Sequence, residues 1–379
     1  MDIIFWTSAA LLGYIYLGYP MAVRLIVLFS NKTVKKALYL PHVTIVIAAY
    51  NEEKTLRATV ENKLALDYPK ENMEIIVVSD GSTDRTDAIV EEYEPMGVRL
   101  MRQEHRRGKT AALNRAIQES RGEIIVFSDA NSLYAVDALN HLTANFADKS
   151  VGYVTGKLTY GKQEGTNVGD GCSRYMRYEN FLRKAETGIG SIVGVNGGID
   201  AVRNVLYEPM SPDQIPDFIL PLKVVEKGYR VVYDPDAILK EDALETSSDE
   251  YRMRVRVALR SLHAIRDMKH LLNPFRFGLF SWQFLSHKAL RYLAFVLLLA
   301  AFICNLLLIR EGKVYQASLF AQSAFYIFAF TGWYLELEGK KLGIFYVPYY
   351  FCLLNVSSAH AFLKMLKGIR QETWEPRKG

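Results

Sequence analysis

Residues 73–80 read MEIIVVSD and residues 124–129 read IIVFSD. Each run is rich in β-branched and aromatic residues, and each ends in an aspartate, Asp80 and Asp129. A continuous apolar run is how a strand of a parallel sheet reads, because both of its faces are covered. In an open sheet of that kind, ligands bind in the crevice beyond the carboxyl ends of the strands. The two acids are therefore expected at one ligand-binding edge.

Working outward, Val43–Ala49 (VTIVIAA) is a third buried run, followed by Tyr50-Asn51-Glu52-Glu53 and a helical stretch to about Leu66. The turn-forming Asp80-Gly81-Ser82-Thr83-Asp84 precedes a helix over Thr86–Tyr93, which Asp84 or Ser82 would cap. Val98–Met101 is a short strand, and Gly108-Lys109 opens a helix to Glu119. A helix over Val136–Phe146 and a strand at Val151–Thr155 follow. Strand and helix alternating with short connections predict an α/β domain built on a parallel sheet. The second half is less regular. It reads as a helix over Arg174–Glu186, a glycine-rich loop at Gly188–Gly198, a helix at Asp217–Lys227 and a strand at Tyr229–Tyr233. A long basic helix over Asp249–Lys269 is broken by Asn273-Pro274, and the aromatic Phe275–Leu285 has the character of a segment lying in a headgroup region.

The ends of the chain differ from its middle. Ile3–Ser30 is apolar apart from Arg24 and long enough to cross a bilayer. It is too long for a signal peptide and lacks the basic start of one, so an anchor is expected. Lys32, Lys35 and Lys36 follow, and the positive-inside rule then puts the central domain in the cytoplasm. Ala289–Ile309, Val314–Leu335 and Ile344–Leu363 are three further candidate spans. The basic tail (Lys364, Lys367, Arg370, Arg377, Lys378) conflicts with the charge rule if all three cross. The expected organisation is thus an N-terminal span at 1–30, a catalytic domain at 40–248, amphipathic interface helices at 249–288, spans within 289–365 and a tail at 366–379. The net charge of +5 is too small to argue for nucleic acid and fits basic anchors at a membrane edge. Cys172, Cys304 and Cys352 have no metal or redox spacing and read as buried thiols.

Several residues at the expected edge carry chemistry. Asp129 with Asn131 offers two oxygen donors suited to Mg²⁺ or Mn²⁺, whose shell substrate phosphates complete; an Asx-turn capping the next helix would look the same. Asp80 can accept hydrogen bonds from a base or ribose, or simply serve its turn. Tyr50-Asn51-Glu52 can stack on a base or cap a helix, and Gly108-Lys109 puts backbone N–H groups and an ammonium near an anion or is a solvated basic turn. Each is ambiguous alone, but all converge on one edge of the sheet. Asp217, ahead of a helix, can act as a general base or be an ordinary acid of a first helical turn. Arg252, Arg254 and Arg256 on the basic helix suit a diphosphate clamp or an anionic lipid surface equally.

Taken in order, these pieces resemble the membrane-bound, processive-type family-2 glycosyltransferases, relatives of hyaluronan, chitin and cellulose synthases. The matching segments are Ala49-Tyr50-Asn51-Glu52, Val78 to Asp84, Gly108 to Asn114, Asp129-Ala130-Asn131, Val195-Asn196-Gly197-Gly198, Asp217-Phe218 and the arginine helix. The resemblance implies a GT-A fold with flanking transmembrane helices, an inverting hexosyltransferase mechanism, a UDP-sugar donor and Mg²⁺ or Mn²⁺. Tyr50, Glu52, Asp80 and Lys109 would hold the uridine moiety, Asp129 the metal and diphosphate, with Asn131 in place of a second aspartate. Gly197, Arg254 and Arg256 would complete the donor site, and Asp217 would be the base. Pro216 replaces the acid that normally precedes that base, and Met253 and Val257 replace the glutamine and tryptophan of the Gln-x-x-Arg-Trp motif. The missing tryptophan argues for single-sugar addition to a lipid-linked or other membrane-associated glycan acceptor, in glycan or exopolysaccharide biosynthesis at the cytoplasmic face of the plasma membrane. A processive synthase that extrudes its product is the alternative, and a non-catalytic nucleotide-binding membrane scaffold a third. Donor, acceptor and membrane lipids are the partners implied.

Overall fold

The computed structural model describes residues 1–160, 167–241, 247–340 and 343–371. The chain forms two compact units. One contains Val27–Gly161 and Glu179–Asp242, the other Met1–Ile26, Lys162–Tyr178 and Ala243–Ile369.

The first unit is built on an eight-stranded mixed sheet: β1 (Val43–Ala49), β2 (Met73–Asp80), β3 (Val98–Gln103), β4 (Ile124–Asp129), β5 (Leu133–Tyr134), β6 (Val151–Tyr160), β7 (Asp200–Arg203) and β8 (Arg230–Glu241), in the spatial order β3-β2-β1-β4-β7-β6-β8-β5. Every residue of β1 is buried, which is why that strand reads as unbroken Val, Ile, Thr and Ala. Burying each such aliphatic side chain contributes about 1.5–3 kcal/mol, so the central strand is a large part of what holds the unit together. β1 pairs in parallel with β2 and β4. Ala49 lies opposite Ser79 and Ala48 opposite Asp129, so the ends of β2 and β4 emerge side by side. The helices Leu56–Leu64, Thr86–Glu91 and Lys109–Gln118 carry the crossovers between these strands. Asp84 accepts from the Thr86 backbone N–H at 3.0 Å at the start of the second helix, as its turn position predicts.

Beyond β4 the sheet is mixed, with β6 and β8 pairing in parallel. β7 runs antiparallel to both β4 and β6, and β5 antiparallel to β8. This corrects the all-parallel expectation. β6 and β8 also extend past their predicted ends, to Tyr160 and Glu241. Polar Asp234, Asp236 and Lys240 interrupt the apolar run of β8, which is why only its first residues read as strand.

The second unit is helical. Asp2–Phe29 is apolar and long enough to cross a membrane, with a π-helical stretch at Tyr14–Gly18. The expected span Ala289–Ile309 is instead two segments: Leu279–Tyr292 and Ala294–Leu307 meet at a 59° bend and have span character only together. Helices Lys313–Leu337 and Gly343–Leu366 occupy the other two expected spans, but among the described residues they do not reach the hydropathy of the first. In the aromatic segment Phe280 and Phe284 stack on each other and are buried, whereas Phe275 is exposed. Cys304 is buried and Cys352 half-buried. The side chain of Cys172, and Arg377 and Lys378 of the tail, lie outside the described residues.

Candidate active site

The ends of β1, β2 and β4 and the start of β7 meet at one edge of the sheet. Lys109, the first residue of its helix, reaches across this edge: its Nζ donates to Asp129 Oδ1 at 2.5 Å and lies 4.0 Å from Asp217 Oδ1. Burial works against the ammonium, but the two carboxylates outweigh it and hold Lys109 above the usual lysine range. Asp217 sits in the first turn of the helix Pro216–Glu226. Pro216 at the helix start lacks an N–H that would be unsatisfied there in any case, so this departure from the family pattern is locally favourable.

Gly197 packs directly on Asp217. Its φ is +71°, and a Cβ built there would lie 2.6 Å from Asp217 Oδ2. Only glycine meets both conditions without strain. Gly198, also at positive φ, faces Ser132 and Glu241, which are joined by a 2.6 Å hydrogen bond. Tyr134 ties the loop to the sheet, its hydroxyl shared between the carbonyls of Phe127 and Gly198, each at 2.8 Å.

The loop that delivers Lys109 is fixed by Asp80. The two oxygens of Asp80 accept from the backbone N–H groups of Arg107 at 2.7 Å and Gly108 at 2.8 Å. Burial raises the Asp80 pKa, and those N–H groups partly offset it. The Arg106 guanidinium lies 3.9 Å from the centre of the Tyr50 ring, so this aromatic face already carries a planar cation. Glu52 ties its own loop, its N–H donating to Thr86 and its carboxylate accepting from Thr55. Asn131 is half-buried on the turn between β4 and β5.

Thus Lys109, Asp129, Asp217 and Gly197 form one cluster, Asp80 orders the loop that supplies it, and Tyr50 and Glu52 stand at the neighbouring strand end. Arg254 and Arg256 belong to the helical unit, where Arg254 bonds Glu250 at 2.8 Å and the Tyr350 hydroxyl at 2.7 Å.

Two residues went unread in the sequence. Asp200 opens β7, and because that strand is antiparallel its first residue is the one at the ligand edge, opposite Phe127 and Thr155. It is fully buried, and burial together with nearby Asp217 pushes its carboxyl up to about 8, a rise that Thr155 and Lys109 partly offset. An Asp directly after a glycine-rich loop was the available signal. Lys63 is also fully buried, donating to the Ser132 carbonyl at 2.6 Å with its ammonium 3.6 Å from the centre of the Tyr134 ring. A lysine on an amphipathic helix gives no such signal.

Asp129 and Asn131 offer oxygen donors of the kind that suits a hard divalent cation. Among the described residues no group of three His, Cys, Asp or Glu side chains could hold a metal alone. Phosphate oxygens would have to complete the shell, which is the usual arrangement for Mg²⁺ at a nucleotide site.

Residues 44–199 match the sequence profile of Glycosyl transferase family 2. The match is confined to that stretch, and the α/β fold of the chain is the GT-A glycosyltransferase fold with a mixed sheet. It is similar to "Probable glycosyltransferase YdaM" of Bacillus subtilis (strain 168), 32% identical over 237 residues that cover 58% of this chain and 55% of that protein. It is also similar to the poly-beta-1,6-N-acetyl-D-glucosamine synthase of Staphylococcus aureus (strain COL), 28% identical over 265 residues, or 68% of this chain and 63% of the relative. These matches span less than two thirds of the length of either relative. Among solved structures, the mannosyltransferase PcManGT from Pyrobaculum calidifontis in complex with GDP-Man and Mn²⁺ aligns with a TM-score of 0.71 at 22% identity, over 96% of this chain and 99% of that one. Likeness at that identity speaks for the fold.

Proposed function

We propose that this chain is an inverting glycosyltransferase that moves a sugar from a UDP-sugar to a lipid-linked or membrane-associated acceptor at the cytoplasmic face of a membrane, in glycan or exopolysaccharide biosynthesis. The observation that carries this reading is the Lys109 ammonium bonded to Asp129 and 4.0 Å from Asp217, in a chain that matches family 2 over residues 44–199. Asp217 takes the proton of the acceptor hydroxyl as its oxygen attacks the anomeric carbon, and the bond to the diphosphate breaks on the opposite face. One displacement inverts the configuration and needs no enzyme nucleophile. Gly197 holds Asp217 in place, and Asp80 fixes the loop from which Lys109 reaches the carboxylates. Asp129 and Asn131 would hold Mg²⁺ or Mn²⁺, which when bound neutralises charge developing on the leaving group.

The test is a nucleotide-release screen of detergent-purified protein against a donor panel with Mg²⁺ or Mn²⁺, followed by mass spectrometry of extracted lipids. UDP-N-acetylglucosamine and GDP-mannose enter the panel because similar proteins are named for those sugars. Asp217→Asn is expected to lower transfer by about 10²–10⁴-fold, the usual contribution of a general base. Transfer unchanged in Asp217→Asn would remove the base from the mechanism, and no release with any donor would favour the scaffold. The similarity to a polymer synthase favours processivity as a second reading. Product length decides between the two, a ladder of sugars against a single addition.

A further inference from the structure

Between β4 and β5 the chain makes a tight turn, closed by the Ser132 N–H donating to the Asp129 carbonyl at 3.2 Å. Asn131 stands inside that turn, and the residues on either side of it are tied to one helix, Leu56–Leu64. Thr59 Oγ1 donates to the Ala130 carbonyl at 2.7 Å, and Lys63 Nζ to the Ser132 carbonyl at 2.6 Å. Asn62 closes the far side. Its Nδ2 donates to the Tyr134 carbonyl at 2.9 Å, and its Oδ1 accepts from the Tyr134 N–H at 2.8 Å. Residues three and four apart share a helical face, so Thr59, Asn62 and Lys63 act on the turn together.

The lysine is the unexpected member. Thr59, Lys63 and Ser132 are all fully buried. A buried carbonyl needs a donor, but taking an amine out of water is a costly way to supply one. Burial pulls the Lys63 pKa well below the usual lysine value, and Glu241 and Asp129 work against that pull. A methionine would fill a similar volume without that cost, but it could not bond the Ser132 carbonyl. Lys63 Nζ also donates to Asn62 Oδ1 at 3.0 Å, the oxygen that accepts from Tyr134, so the lysine joins both ends of the clamp.

We propose that Lys63 is a positioning residue for the cation site: through its bond to the Ser132 carbonyl it fixes the turn that presents Asp129 and Asn131 to Mg²⁺ or Mn²⁺. The inference rests on the reading of those two residues as ligands of a divalent cation. Lys63 is sealed beneath the turn and acts through the backbone it holds. Groups that orient metal ligands in this way govern affinity for the ion as well as activity.

The test reads binding rather than turnover. Mn²⁺ is titrated into full-length protein with UDP and followed by the electron paramagnetic resonance signal of the free ion, with melting temperatures measured alongside. Asp129→Ala should abolish the binding. No binding by the wild type, or equal binding by Asp129→Ala, removes the cation reading and this inference with it. Lys63→Met should weaken Mn²⁺ binding by about tenfold or more, the usual effect of losing a group that orients a ligand. Lys63→Gln, which can donate to the same carbonyl, should weaken it less. Val60→Ala, at a buried position of the same helix without a donor, should lower the melting temperature and leave Mn²⁺ affinity unchanged. If Lys63→Met does not fold, Thr59→Val, isosteric and without the bond to Ala130, carries the same expectation. Unchanged affinity in the folded variant, with Asp129→Ala impaired, overturns the inference and leaves the cation reading standing. An equal loss in Lys63→Gln and Lys63→Met overturns it too, as does an equal loss in Val60→Ala, which would mark a general effect of stability.

Discussion

At the scale of single residues, the site is a set of charges whose states depend on burial. Asp200 is the sharpest case, a fully buried carboxyl beside Asp217. Its folded pKa is raised to about 8, against about 3.9 for an aspartate in an unfolded chain. Between those values the folded protein keeps a proton that the unfolded chain releases, so the stability this group allows is present below about pH 4 and is lost as pH rises toward 8. We predict that Asp200→Asn raises the melting temperature at pH 8 and that the gain shrinks toward pH 5. Thermal unfolding of the metal-free protein at both values measures this, and an equal gain at both would show that Asp200 is ionised in the fold. Asp80 has a duty that the sequence does not announce. The sequence puts it at the strand end where a base or ribose would sit, and the structure shows its oxygens engaged with the backbone at Arg107 and Gly108. A carboxylate oxygen has further acceptor capacity, so donor contact remains compatible with that role.

At the scale of elements, the Gly-rich loop ahead of β7 decides where Asp217 points. Gly197→Ala imposes a side chain at φ +71°, with its Cβ 2.6 Å from Asp217 Oδ2. A positive φ costs a non-glycine residue roughly 1–2 kcal/mol before any clash. We expect kcat/KM to fall by about tenfold or more, each 1.36 kcal/mol being a factor of ten, while the unfolding temperature moves by only a few degrees. Loss of fold with no separate loss of activity would mean that the loop is structural only. The parallel half of the sheet was legible because strands covered on both faces cannot carry polar residues. β1, β2 and β4 satisfy that rule along almost their whole length. In the mixed half only the starts of β6 and β8 were legible, and β7 was not. β7 has only the four residues Asp200–Arg203, two of them charged, and its direction is set by pairing with β4 and β6, which no local pattern encodes. The same reversal hid Asp200, since sequence reasoning looks for site residues after strands and this one comes before.

At the scale of the whole chain, a mixed-sheet unit and a helical unit are assembled from interleaved segments. The helical unit depends on close approach of its helices. Gly332 in Lys313–Leu337 would meet the Phe345 carbonyl at 2.7 Å and the Tyr349 Cβ at 2.9 Å if it carried a Cβ. Small residues at such crossings let helix backbones pack directly. Gly332→Leu should therefore separate this pair, at a cost of about 1–3 kcal/mol or more by overpacking. A lower melting temperature and a broadened size-exclusion peak in detergent are the expected result, and wild-type behaviour in both would show that this crossing is loose.

Lys63 offers a practical consequence. Its ammonium is sealed from solvent between the Ser132 carbonyl and the Tyr134 ring, and burial pulls its pKa well below the usual lysine value. Amine-reactive acetylation should modify the surface lysines quickly and reach Lys63 only when the region around Ser132 opens. The acetylation rate at that one position, followed by peptide mass spectrometry, would then act as a clock for breathing of the pocket, and a nucleotide that slows it would be identified as a ligand without any turnover assay.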